Sequence, residues 1–146
     1  MAPDIPIKIT DNLYLGNFNA ASYSLLKKYN IVAVVCLTHY AQPYTPDINL
    51  LHISDISETL AEDSFTLDKL LKAVKFIEEQ IQSGHNVLVH CKAGASRSPT
   101  IILAYIMKKF HFSVEEAYKF TVQKAQHINP TFRKLLSEYA SFLKSE

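Results

Sequence analysis

Tryptophan is missing from this 146-residue sequence, and glycine (3), proline (6) and cysteine (2) are scarce. So little glycine and proline excludes collagen-like, mucin-like and linker compositions. Cys36 and Cys91 lie far apart, and neither has a second cysteine or a histidine at metal-ligand spacing. That excludes a disulfide scaffold and a zinc cage, so no metal site is expected. A surplus of charge of one sign is also lacking: 15 Lys and Arg against 14 Asp and Glu leave a net charge of +1. No global field exists to hold nucleic acid or an anionic membrane, and any affinity for anions must be local. No apolar run reaches the roughly 18 to 20 residues that span a bilayer. The opening MAPDIPIKITD has neither the basic nor the apolar region of a signal peptide. A cytoplasmic or nuclear location is expected, without stable membrane insertion and with both cysteines as free thiols. What is present is 48% hydrophobic and 20% charged residues, enough to bury a core in one domain spanning residues 1–146.

Apolar periodicity divides the chain. Ile7 to Gly16 alternates and predicts a strand pair. A short helix is expected from Asn19, with Ala20, Leu25 and Leu26 inward, closing at Tyr29-Asn30. The β-branched run Ile31 to Leu37 is the mark of a strand covered on both faces. Thr38 to Asp47 reads as a loop, Asn49 to Asp55 as a second strand, and Ile56 to Ser64 as a polar stretch. From Thr66 a helical face of Leu67, Leu70, Leu71, Val74, Ile77 and Ile81 runs to Ser83-Gly84, and Asn86 to His90 is a third buried strand. Helices are expected from Ser98-Pro99, from the capping box Ser113 to Glu116, and from Asn129-Pro130. This order gives an α/β layered domain with a helix-rich C-terminal half.

Chemistry concentrates between Val89 and Pro99, in an apolar strand, the turn Cys91 to Arg97 and a helix start. Helix N-termini beyond the carboxyl ends of sheet strands present free N–H groups to anions. Lys92, Ala93, Gly94, Ala95 and Ser96 include residues small enough for the backbone to curl around a phosphate, and Arg97 can close the ring with a planar fork. Cys91 then lies on the floor of the cradle, where the same donors favour a thiolate, the nucleophilic form.

His90-Cys91, five residues, then Arg97-Ser98 matches the signature of the Cys-dependent protein tyrosine phosphatase superfamily, and VHCKAGASRSPT most resembles its dual-specificity branch. The resemblance extends to Leu13-Tyr-Leu-Gly-Asn17, the buried strand near Cys36, an Asp after the next strand, the AYIM helix, and Asn129 with Phe132. It implies a phosphatase-like fold in a single compact α/β domain, with a mostly parallel sheet of about 4–5 strands flanked by helices. It implies further that Cys91 attacks phosphorus to form a cysteinyl-phosphate, Arg97 holds the phosphoryl oxygens, and Ser98 hydrogen-bonds the sulfur as it leaves. By the same resemblance His90 and Asn129 support the loop, although the family's Pro-Asn order stands here as Ile128-Asn129-Pro130.

A carboxylic acid must protonate the leaving oxygen. The resemblance places it after the strand that precedes the first long helix, where Asp55 is favoured because it ends a strand directly and Asp63 is the alternative. Cys36 reads as core, with a redox partnership to Cys91 as the second reading. Phosphorylated proteins, bearing phosphotyrosine and phosphoserine or phosphothreonine, are the expected partners of a monomer that needs no cofactor. Non-protein phosphates (phosphoinositide, RNA end or glycan) and a phosphate-binding pseudo-phosphatase are the competing readings. Substrate choice is expected to rest on Thr38 to Asp47 and Ile56 to Ser64.

Overall fold

In the run Ile31–Cys36 (β3), alternate side chains supply two different hydrophobic clusters, which is why five of its six residues are buried and no polar face exists. The computed structural model describes residues 2–56 and 64–146. Around β3 the other strands are Ile7–Thr10 (β1), Leu13–Gly16 (β2), Asn49–His52 (β4) and Asn86–His90 (β5). They form one sheet in the order β1-β2-β5-β3-β4, in which only the β1–β2 pair is antiparallel. β5 is therefore the central strand, aligned in parallel with β2 (Leu15 beside Val89) and β3 (Cys36 beside His90).

The helices are Tyr23–Lys28 (α1), Leu67–Gln82 (α2), Arg97–Phe110 (α3), Val114–Val122 (α4) and Arg133–Lys144 (α5). Ala33, Val35, Val87 and Val89 face the thick layer, with Leu70, Val74 and Ile77 of α2, Ile102 and Ile106 of α3, and Leu136 and Tyr139 of α5. Val34, Cys36 and Leu88 face a thinner layer that contains Leu26 of α1, Ala21 and Ile48. The sheet is thus covered on both faces, as parallel strands require.

Local signals account for most boundaries. Ser113 Oγ accepts the Glu116 N–H (3.1 Å) while Glu116 Oε1 accepts the Ser113 N–H (2.8 Å), closing the expected capping box at α4. Asn30 adopts φ 57° after α1, as its position predicted. Three boundaries depart from expectation. The helix expected from Asn19 is a single 3₁₀ turn, Asn19–Ala21, and α1 begins only after Ser22, which is extended (ψ 148°) and whose hydroxyl caps the Leu25 N–H. The strand expected to reach Asp55 ends at His52, because Ile53 makes the last bond to β3 (N–H to Cys36 carbonyl, 2.9 Å) before the chain turns. Asn129-Pro130 does not open the last helix: α5 starts at Arg133, because the preceding N–H groups are already bonded to the loop that follows β5.

Candidate active site

β5 delivers His90 and Cys91 to the carboxyl end of the sheet between two parallel neighbours, the position where α/β proteins bind ligands. The loop leaving it is tied to both sides. Leu37, just past β3, donates its N–H to the His90 carbonyl (3.1 Å), and Phe18, past β2, donates its N–H to the Lys92 carbonyl (3.1 Å). At Gly94 the backbone turns through φ +70° and passes so close to the end of β2 that a Cβ would stand 3.0 Å from the Gly16 carbonyl oxygen. Only glycine meets both demands without strain. The Leu-Tyr-Leu-Gly-Asn segment has a physical role of its own. A Cβ on Gly16 would stand 2.8 Å from the Ala20 Cβ, so glycine lets the following turn pack on the end of β2, and Asn17 holds that turn by accepting the Ala20 N–H (2.9 Å) and donating to Asp4 (2.8 Å).

Cys91 is buried (2% exposed), and its sulfur accepts the Gly94 N–H at 3.2 Å and lies 3.1 Å from the Ser98 hydroxyl. Arg97 is the first residue of α3, so the helix N-terminus and the guanidinium arrive together. The Arg97 side chain is almost wholly buried, and its Nη1 donates to the carbonyls of Leu37 (2.7 Å) and Ile56 (3.3 Å). Fixing one nitrogen on two carbonyls orients the planar fork. Lys92 and Ala93 are exposed on the outer edge of the loop, Gly94 is buried, and Ala95 and Ser96 are half-buried.

His90 is fully buried, with Nδ1 3.4 Å from the Cys91 carbonyl and its ring edge-on to Phe18. Burial, above all, pushes its pKa down to about 4, and the nearby His52 and Arg97 push the same way. The ring is neutral at pH 7 and is not a source of protons there.

Asn129, expected beside the loop, belongs to a strap across the loop's outer side whose other members, His127 and Thr131, sequence reasoning missed. His127 Nε2 donates to the Gly94 carbonyl (3.0 Å), Asn129 N–H donates to the Ala95 carbonyl (2.6 Å), and Thr131 N–H donates to Ser96 Oγ (3.2 Å). The Ser96 and Thr131 hydroxyls also lie 2.7 Å apart. Ile128, Pro130 and Phe132, the residues between, are buried, so the strap has the period-2 alternation of extended chain. That alternation in HINPTF was the available signal. The side chain of Asn129 is exposed, and its observed contact with the loop is a backbone one.

On the acid side, Asp55 lies in the turn after β4 with its carboxylate 71% exposed and 3.0 Å from Lys69 Nζ. The hydrogen bond from Lys69 holds this carboxyl below the usual range. Asp55 is joined to the site through the next residue, Ile56, whose carbonyl receives Arg97. Asp63, with Glu58 and Glu62, lies outside the described residues. Cys36 is a neighbour of His90 across the sheet, but it belongs to the thin layer while Cys91 belongs to the thick one. The two sulfurs therefore point to opposite faces of the sheet, and Cys36 Sγ is 3.1 Å from Thr38 Oγ1. Among the described residues no group of three or more His, Cys, Asp or Glu is placed to hold a metal ion, and no helix is long and apolar enough to cross a membrane.

The family model described as "Dual specificity phosphatase, catalytic domain" matches residues 13–142. The chain belongs to that family. A putative tyrosine phosphatase of Invertebrate iridescent virus 6 is 35% identical over 96% of this chain and 95% of its own length. Human dual specificity protein phosphatase 16 is 36% identical over 97% of this chain, which spans only 22% of that longer protein. Among solved structures, human DUSP28 shares the fold (TM-score 0.86, 24% identity, 97% of each chain). DUSP15 superposes with TM-score 0.81 at 28% identity, over 94% of this chain and 88% of that one. The site described above is thus carried on the catalytic domain of a Cys-dependent protein phosphatase.

Proposed function

We propose that this chain hydrolyses phosphotyrosine and phosphoserine or phosphothreonine in proteins, with Cys91 as nucleophile. The observation that carries this reading is the sulfur of Cys91 held between the Gly94 N–H and the Ser98 hydroxyl, at the N-terminus of a helix headed by Arg97. In the first step Cys91 Sγ forms a bond to phosphorus in line as the bond to the leaving oxygen breaks, and that oxygen takes a proton from Asp55. Arg97 and the loop N–H groups of residues 92–97 bind the oxygens on which charge builds. This cationic cradle does the work that a metal does in other phosphatases, and no cofactor enters the scheme. Water then attacks the cysteinyl-phosphate, Asp55 takes up its proton, and the Ser98 hydroxyl stabilises the departing sulfur.

Asp55 is favoured as the acid because the residue after it is bonded directly to Arg97. The substrates are phosphoproteins met by a monomer in the cytoplasm or nucleus, where a thiol nucleophile stays reduced. The net charge of +1 offers nucleic acid no favoured surface. The test is steady-state hydrolysis of phosphotyrosyl and phosphothreonyl peptides in the presence of chelator. Turnover of both by the wild type, lost by about 10⁴-fold or more in Cys91→Ser, is expected. A folded wild type that binds vanadate but releases no phosphate from either peptide would make the protein a phosphate-binding adaptor instead.

A further inference from the structure

Lys69 is an unusual residue for its place. It lies in the first turn of α2, where the positive end of the helix dipole disfavours a cation. It is also mostly covered, with its side chain only 23% exposed, although a solvated lysine gains by extending into water. Three oxygens around the ammonium explain both facts. Nζ lies 3.0 Å from Asp55 Oδ2, 2.6 Å from the Ser64 carbonyl and 3.5 Å from the Asp55 carbonyl, one acceptor for each N–H of the group. Asp55 and Ser64 stand at the two ends of the segment that joins β4 to α2, so a single side chain fastens both. One residue beyond Asp55, Ile56 is fully buried and its carbonyl accepts from Arg97. The path from Lys69 to the phosphate-binding arginine is therefore two residues long.

We propose that Lys69 is the positioning residue of the general acid: it clasps both ends of this segment and holds Asp55 at the rim beside Arg97. The proposal rests on Asp55 being the acid. In the resting enzyme the Asp55 carboxylate is paired with Lys69. The form that acts is the carboxylic acid, which gives its proton to the leaving oxygen and returns as carboxylate to the ammonium. Among the described residues, the other titratable or charged groups near this pair are Arg97 through Ile56, His39, whose Nδ1 is 3.1 Å from the Ser54 carbonyl, and, around the neighbouring cleft beside Phe65, Asp68, Lys134 and Glu138. Among them Lys69 is the group in direct contact with the carboxylate.

The clasp has a kinetic signature that a purely structural lysine lacks. Phenyl phosphate needs a proton on its leaving oxygen, whereas dinitrophenyl phosphate does not. Lys69→Met is expected to lower kcat on phenyl phosphate about tenfold, because the acid is no longer held in place, and to leave dinitrophenyl phosphate nearly untouched. Lys69 favours the ionised carboxylate, so its removal lets the Asp55 pKa rise. The basic limb of the pH profile, where the acid loses its proton, then moves to higher pH. Lys69→Arg is expected to restore most of the lost rate, and Lys69→Met added to Asp55→Asn is expected to cost nothing further. Equal losses on both aryl phosphates, or a folded Lys69→Met with unchanged phenyl phosphate kinetics and an unmoved basic limb, overturn the clasp while leaving the acid in place. Asp55→Asn with full activity on phenyl phosphate overturns the acid assignment itself, and the clasp with it. If Lys69→Met does not fold, Lys69→Gln answers the same questions at smaller volume change.

Discussion

Cys91 follows β5, which has a bonded neighbour on each side, whereas Asp55 follows β4, the strand at the edge of the sheet whose side chains are mostly exposed. The loop after β5 is fixed by the ends of β2 and β3, by the N-terminus of α3 and by the strap at residues 127–131. The carboxylate of Asp55 is fixed by one lysine, and its backbone by a few contacts on either side. On the proposed mechanism the nucleophile must be in place before substrate arrives, and the centre of the sheet supplies that preorganisation. An acid, the role proposed for Asp55, has both to hold a proton and to surrender it, and an edge mounting with a separable ion pair suits that cycle.

The difference can be broken from either side. With Cys91 left in place, the largest effect is expected at Asp55, the proposed acid: Asp55→Asn should lower kcat on phenyl phosphate by about 10²-fold or more while leaving the melting temperature unchanged, because its side chain is mostly exposed. At the rigid half, substitutions should instead cost stability. Burial holds the His90 pKa at about 4 in the folded chain against an ordinary 6.5, so the unfolded chain binds more protons between those values. Stability from this residue is therefore fully present above pH 6.5 and is lost as pH falls toward 4. The loss should be on the order of 3 kcal/mol by urea titration, and His90→Asn should flatten that slope. Gly94→Ala comes next. Its positive φ and the 3.0 Å approach to the Gly16 carbonyl should cost about 1–3 kcal/mol in denaturant unfolding, with a fall in kcat/KM as the loop shifts. The smallest effect is expected at the strap, where Thr131→Val removes the hydroxyl contact to Ser96 and should cost about 1 kcal/mol by the same assay.

The same contrast governs what could be read from sequence. The sheet was legible because Ile31–Cys36 is a continuous β-branched apolar run of strand length and Val87–Val89 a shorter one, the pattern of strands buried on both faces. The gathering of Cys91, Gly94, Arg97 and Ser98 at one loop was legible because it is local: the four fall within eight consecutive positions. The strap was not. Asn129-Pro130 has the look of a helix start, and its actual use, backbone N–H groups spent on Ala95 and Ser96, leaves no trace in side-chain identity. Lys69 was missed for a related reason, since a lysine in a helical run reads as solvated surface and only the fold brings Asp55 and Ser64 to its ammonium. Sequence separation hides contacts that backbone atoms and long side chains make.

The most direct test of Cys91 as nucleophile is mass spectrometry of the wild-type enzyme quenched in acid during turnover of an aryl phosphate. A phosphoryl adduct on the peptide that contains Cys91, formed within a single turnover and missing from Cys91→Ser, is the result predicted here. Phosphate release at full rate with no adduct on that peptide, or an adduct on another residue, would contradict it.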